Sequence, residues 1–412
     1  MNTDSTNPSA QPIRHSTPRD PHPSLKSYGI LRRVGKASLK RVLVRIHRVV
    51  VGRKRVAVLL DEDAASGTQQ ILQRAAEHFS GIGDITFQVI TCKPGLFTTA
   101  FVCSRFAGLL VSGHHRWTTG LFPKLLPIYD VDPQREANAL WRWHDIISAL
   151  QPLTPFRIQQ ARERLTHTVS QLSACGLEKC YIFGTGPSLE KARTLDFTDG
   201  YRIICNTICR DRELFGHLKP HILVAGDAQY HFSDTKHAQA FLRDVERRME
   251  ESEFVFCYPA DFDPFVKRRF EMFENRLIPI PVGNTFNLTA DMTREFSLPN
   301  TGNVLGLLLL PIACQISRDV QLLGFDGRRQ SDDNFWKNSA NHSYPDLIEE
   351  MMSEYPAFYN HFVPKTNPYN YVNSVFGDYL DQAMSKAERE GWRFSLLSPS
   401  TSPALAKRPL RV

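Results

Sequence analysis

Short apolar runs recur along the chain and alternate with stretches whose apolar residues fall at helical spacing. Val56, Ala57, Val58, Leu59 and Leu60 make the first run, with a helical pattern over 67–79 behind it. Further runs fall at 85–90 and 108–112. Unbroken apolar runs suit strands covered on both faces, and strands alternating with helices point to a parallel sheet. A helix over 136–150, containing Trp141 and Trp143, closes this unit. Pro152 and Pro155 then mark a linker, with a connecting helix over 156–172. From Leu177 a longer series begins: strands at 181–183, 201–205, 221–225, 254–257 and 320–326, with helices over 238–251 and 304–316.

The longer series opens on Tyr181, Ile182 and Phe183 running into Gly184-Thr185-Gly186-Pro187-Ser188. The glycines permit positive φ and leave no Cβ in the path of a ligand. Pro187 suits a first helical turn, and Ser188 can satisfy one of its free N–H groups. A helix opening at the carboxyl end of a parallel strand is an anion site, usually for a nucleotide phosphate. The plainer alternative is a tight strand-to-helix turn. Polar residues also close the neighbouring strands: Thr185, Asn206, Asp227 and Asp326. In an open α/β sheet that edge is where ligands bind. The expected fold class is therefore α/β: a Rossmann-like parallel sheet with helices on both faces, a smaller N-terminal α/β domain and a disordered N-terminal tail. The expected division is a tail over 1–25, a basic amphipathic segment over 26–55, the small domain over 56–151, a linker helix over 152–176 and the Rossmann-like nucleotide-binding domain over 177–412.

Composition narrows the partners. The formal net charge is +7, with hydrophobic content of 42% and charged content of 23%, ordinary for a globular chain. The positive excess is local: no acidic residue lies between Lys26 and Arg55, where Lys36, Lys40, Arg41, Arg45, Arg48, Arg53, Lys54 and Arg55 crowd together. That excludes a broadly basic nucleic-acid binder. It makes 26–55 a candidate for contact with an anionic membrane surface, a solvated helix or a strand being the alternatives. None of the 8 cysteines forms a CxxC, which fits a reducing, cytoplasmic setting, peripheral on the inner membrane if the basic segment docks there. No stretch is long and apolar enough to span a membrane. His114 and His115 lack a third ligand nearby in sequence, and Asp61, Glu62 and Asp63 read as a solvated strand end, so no metal site is expected.

Candidate chemistry gathers at the second sheet. Asn206 can read a base or ribose edge, and Asp227 can bond a sugar hydroxyl or hold a cation. Thr301 and Gly302 precede the apolar helix and offer a hydroxyl and backbone donors. Gly324 and Asp326 close the 320–326 strand; the polar stretch beyond carries Arg328 and Arg329, whose guanidiniums suit a departing phosphate. His342 further along is a candidate general base.

These features resemble a known family. The Gly184–Leu189 turn, Cys205-Asn206, Asn300-Thr301-Gly302, Gly324-Phe325-Asp326, Asn341-His342-Ser343 and the late serine-rich Ser398–Ser402 occur in the order seen in bacterial lipooligosaccharide sialyltransferases, glycosyltransferase family forty-two. The resemblance spans about 177–406 and leaves the N-terminal part unexplained. It implies a modified Rossmann fold and inverting transfer from a CMP-activated sugar, without an essential metal or other cofactor. Carried across, the glycine turn, Asn206, Thr301, Gly302, Ser400 and Thr401 border the donor, and His342 is the base. The acceptor is a cell-surface glycan or glycolipid. Departures are Thr185 and Asp227 where the family has Asn, and Gly327 and Arg328 where it has phosphate-holding aromatic residues. A second group sharing the glycine turn resembles hydroxymethylpterin pyrophosphokinase and implies Mg²⁺ on Asp227 and Asp326 with a nucleoside triphosphate. A third reading is a non-catalytic nucleotide-sugar-binding protein.

Overall fold

A computed structural model describes residues 54–93, 105–113, 126–283, 287–327, 344–362 and 378–411. The expected tail and most of the basic segment, His114, His115, Arg328, Arg329 and His342 lie outside these residues. Two all-parallel sheets carry the chain. The first contains β1 (Lys54–Leu60), β2 (Ile85–Thr91), β3 (Gly108–Ser112) and β4 (Ile128–Asp130), in the order β2-β1-β3-β4. The second contains β5 (Lys179–Phe183), β6 (Gly200–Cys205), β7 (Ile222–Val224), β8 (Val255–Pro259), β9 (Leu277–Ile280), β10 (Asp319–Leu323) and β11 (Arg393–Leu396), in the order β11-β10-β5-β6-β7-β8-β9. With helices flanking both sheets, the fold is the expected α/β class.

The strands the pattern missed are short or sit at sheet edges. β9 contains Pro279, which cannot donate to a ladder on both sides and is confined to an edge strand. β4 spans three residues and β11 four, too short to show a period. The expected apolar helix over 304–316 is not uniform. A π turn over Leu305–Leu309 precedes an α-helix over Leu310–Ile316, with the Leu310 N–H bonded to the Leu305 carbonyl. Pro311 explains it: its ring would strike the carbonyl one α-turn back, and the wider turn makes room.

Burial follows the strand pattern. Ile182, Phe183, Ile203 and Ile204 have no exposed surface. Truncating one such residue to alanine costs about 2–5 kcal/mol. One continuous core joins the two sheets. Aromatic rings line the junction: Phe79 stacks on Trp143 at 5.3 Å, and Phe232 stacks on Phe262 at 4.4 Å. His144 lies between them, edge-on to Phe79 and Phe262, its Nε2 2.5 Å from the Phe232 carbonyl oxygen. Arg74, on the helix Ser66–Phe79, reaches across from the first sheet's side to Asp234 and Glu354.

Candidate functional site at the carboxyl edge of the seven-stranded sheet

From β5 the chain moves to β6 and outward to β9, then returns to the other side for β10 and β11. The order therefore reverses between β5 and β10, the position where open α/β sheets bind ligands. Here the two strand ends are tied together. The Gly184 N–H donates to the Leu323 carbonyl and the Gly186 N–H to the Gly324 carbonyl, both at 2.8 Å. A Cβ on Gly184 would sit 2.5 Å from the Gly324 oxygen, and one on Gly186 would sit 2.2 Å from Asp326 Oδ2. Neither glycine takes positive φ; Gly324 does, at 82°. The expectation of positive φ at Gly184 and Gly186 is corrected: they are small because the protein's own backbone passes there.

The helix expected after this turn is a 3-10 helix over Pro187–Thr194. Its first-turn donors already have a partner. The Ser188 N–H and hydroxyl both donate to Asp326 Oδ2, at 3.1 and 2.9 Å, and the Gly324 N–H donates to the Ser188 hydroxyl at 3.2 Å. Asp326 thus stands where a ligand phosphate was expected. The late serine stretch joins the same knot. The Ser400 hydroxyl donates to the Phe325 carbonyl at 2.6 Å, while the Thr401 N–H and hydroxyl donate to the Asp326 carbonyl at 2.7 and 3.1 Å. Gly184, Thr185, Gly186, Ser188, Gly324, Asp326, Ser400 and Thr401 are therefore brought together at the ends of β5, β10 and β11, with Ser188 and Asp326 bonded to each other.

Open hydrogen-bonding capacity lies one strand over. Asn206, directly after β6, has φ of 53°, and its Oδ1 is buried with no hydrogen-bond partner among the described residues. Asparagine tolerates the left-handed region better than most residues, yet the conformation still has a cost. A buried acceptor left unpaired costs about 1–3 kcal/mol. Both features sit on one residue at the carboxyl edge of the sheet. Gln229 Nε2, five residues beyond the end of β7, is also buried without a partner among the described residues. Sequence reading passed over Gln229, since nothing in a short polar run marks which amide is buried.

Asp227 follows β7 and caps the helix Ala228–His231, accepting the Tyr230 N–H at 3.2 Å. Burial pushes its carboxyl up to about 6, against the lowering effect of the Tyr230 and Gln229 N–H groups. The Asp227 N–H donates to His231 Nδ1 at 3.3 Å, and burial holds that imidazole neutral. Tyr359, buried beside Tyr230, has its hydroxyl pushed up by burial and by Asp227. Thr301 is half-buried and Gly302 exposed just before Asn303, whose Oδ1 accepts the Gly306 N–H at 2.8 Å and caps the following helix. Leu307 and Leu308 of that helix press on Gly226, where a Cβ would meet them at 3.0 and 3.2 Å. The helix is thereby held over the end of β7.

Among the described residues no group of three or more His, Cys, Asp or Glu side chains is arranged to hold a metal ion. Cys180, Cys205, Cys257 and Cys314 are buried, and burial raises each thiol far above its ordinary range, so these are packing residues and not nucleophiles. No described helix is long and apolar enough to cross a membrane.

No family model matches the chain, and no curated protein does. Among solved structures the chain is similar to monomeric CstII, at 17% identity over 56% of this chain and 87% of that one, with a TM-score of 0.32. It is also similar to the sialyltransferase CstII from Campylobacter jejuni in complex with the substrate analogue CMP-3FNeuAc, at 18% identity over 43% of this chain and 78% of that one, with a TM-score of 0.24. At these identities and scores the likeness says nothing of this chain's chemistry.

Proposed function

We propose that the chain is a glycosyltransferase that moves a sugar from a CMP-activated donor to a hydroxyl of a cell-surface glycan, inverting the anomeric carbon. The observation that carries this reading is Asn206: a strained asparagine at the carboxyl edge of a parallel sheet, with a buried acceptor that no described residue uses. An amide that both donates and accepts suits a base or ribose edge. Asp227 follows the neighbouring strand β7, and in this reading Thr301 and Gly302 also border the donor. His342 takes the acceptor proton as the acceptor oxygen bonds to the anomeric carbon. The bond from that carbon to the phosphate oxygen breaks, and CMP leaves with the electron pair, its charge met by Arg328 or Arg329. The roles of His342, Arg328 and Arg329 rest on the sequence motif.

Thermal unfolding with CMP, UDP, GDP and ATP, each with and without Mg²⁺, tests the reading. CMP at a hundred times its Kd should add about 2.7 kcal/mol to stability, and Asn206→Ala should abolish the shift. His342→Ala should keep that shift while lowering turnover by roughly a hundredfold or more. Stabilisation by ATP only with Mg²⁺, and none by CMP, would overturn it in favour of a pyrophosphokinase-type enzyme.

A further inference from the structure

At the amino end of the first sheet several segments are tied into one exposed patch. Lys54, the first residue of β1, donates from Nζ to the Gly83 carbonyl at 3.2 Å, in the turn that leads into β2. The same carbonyl accepts the Gln151 side-chain amide. The Ser80 carbonyl of that turn accepts Arg268 Nη1 at 2.6 Å, and a Cβ on Gly81 would meet this guanidinium at 3.4 Å. Beyond the helix Asp263–Arg269 comes a 3-10 segment, Glu271–Arg276, in which Met272 is 91% exposed. Phe156 opens the helix Pro155–Ala174 and is 71% exposed, and Arg157 beside it donates to Glu274 at 2.9 Å. The stretches from Gln151 to Arg157 and from Arg268 to Glu274 are therefore bonded to each other and to the turn that Lys54 reaches. They carry the two most exposed large apolar side chains among the described residues.

Charge reaches this patch from the chain that enters it. Lys267 is paired with Glu274 and Arg269 with Glu246, while neither Lys54 nor Arg268 has an acid partner among the described residues. Asp84 and Glu271 are exposed close by in sequence, so the patch alone is nearly neutral. Residues 26–53, however, carry nine lysines and arginines and no acid, and they join the fold at Lys54. Exposed apolar side chains next to a dense run of cations suit a lipid surface. Nucleic-acid phosphates would use the cations and leave Phe156 and Met272 in water. We propose that this end of the first sheet docks on an anionic membrane surface. Residues 26–53, Lys54 and Arg268 meet lipid phosphates, while Phe156 and Met272 enter the headgroup layer. Such binding adds apolar burial to electrostatic attraction, each Lys or Arg at the surface strengthening it about fivefold. It is independent of what the carboxyl edge of the second sheet binds.

Co-sedimentation of the full chain with phosphatidylcholine vesicles, with and without phosphatidylglycerol, tests the surface. The wild-type chain should bind the anionic vesicles only, and raised salt should weaken that binding. Phe156→Ser and Met272→Ser should each weaken it roughly tenfold, at unchanged Tm because both side chains are exposed. Arg268→Gln should weaken it about fivefold, and Lys40→Glu combined with Arg41→Glu by roughly a hundredfold or more. Absent binding to anionic vesicles would overturn the proposal. So would loss of binding in the Lys40 and Arg41 variant with no effect of Phe156→Ser or Met272→Ser, since the described patch would then play no part. Capture of the wild-type chain by duplex DNA in place of vesicles would assign the cations to nucleic-acid phosphates and overturn it as well.

Discussion

Arg74 is the side chain whose removal has the most traceable consequence. Its Nε donates to Asp234 Oδ2 at 2.7 Å, and its two terminal nitrogens donate to Glu354 at 2.6 and 2.9 Å. The Asp234 side chain is 1% exposed, Glu354 16% and Arg74 itself 40%. Breaking a fully buried ion pair costs about 3–5 kcal/mol, because a charge is stranded. Arg74 is open enough to water that screening should lower this to about 2 kcal/mol for Arg74→Ala. That corresponds to roughly 2 °C in Tm if the chain melts as one unit. Burial already raises the Asp234 carboxyl although Arg74 opposes it, and removing Arg74 would raise it further. A carboxyl whose folded pKa lies above its unfolded value loses stability as pH rises through that range. The deficit of Arg74→Ala should therefore be small near pH 4 and complete by pH 8. Adding Asp234→Asn removes the stranded charge, so the double variant should recover about 1 kcal/mol or more relative to additivity. Thermal melts of the four proteins at both pH values supply the cycle. Additive losses with no pH dependence would refute the reasoning.

Gly186→Ala should destabilise the chain by about 1–3 kcal/mol in urea unfolding, because the new Cβ would lie 2.2 Å from Asp326 Oδ2 and 2.7 Å from the Gly324 oxygen. Gly67→Ala, in a helix with nothing within 4 Å, should be neutral or stabilising by up to about 1 kcal/mol, and equal effects at the two sites would contradict the packing described. The chain should also be acid-labile. Burial lowers His144 to about 3, His237 to about 4 and His231 well below its ordinary value. Groups depressed on folding favour the native state fully above the unfolded pKa near 6.5, and that stability is lost as pH falls towards the folded value, by about 2 kcal/mol each at pH 5. Asp227, raised on folding, works in the opposite direction over the same range and offsets part of this. His144→Phe should flatten the change in urea midpoint between pH 7.5 and pH 5; an unchanged slope would argue against a neutral buried imidazole.

The apolar runs at 56–60, 181–183 and 201–205 and their alternation with helical patterns were enough to establish a parallel α/β fold, because a strand buried on both faces must be apolar throughout. The same reading placed Thr185, Asn206, Asp227 and Asp326 at the carboxyl edge of one sheet, since polar residues at successive strand ends need no knowledge of neighbours. What sequence could not decide is which polar residue is spent internally. Asp326 lies far along the chain from Gly186 and Ser188, and only the pairing of β5 with β10 turns them into one closed hydrogen-bonded unit. Asn206 and Asp227 look no different from Asp326 in sequence. The burial that leaves one with an unpaired acceptor and raises the other's carboxyl exists only once the second sheet is assembled. Local propensity and hydrophobic period are written residue by residue and so can be read from the chain. Solvent exclusion and hydrogen-bond pairing depend on segments distant in sequence, and the tertiary structure alone determines them.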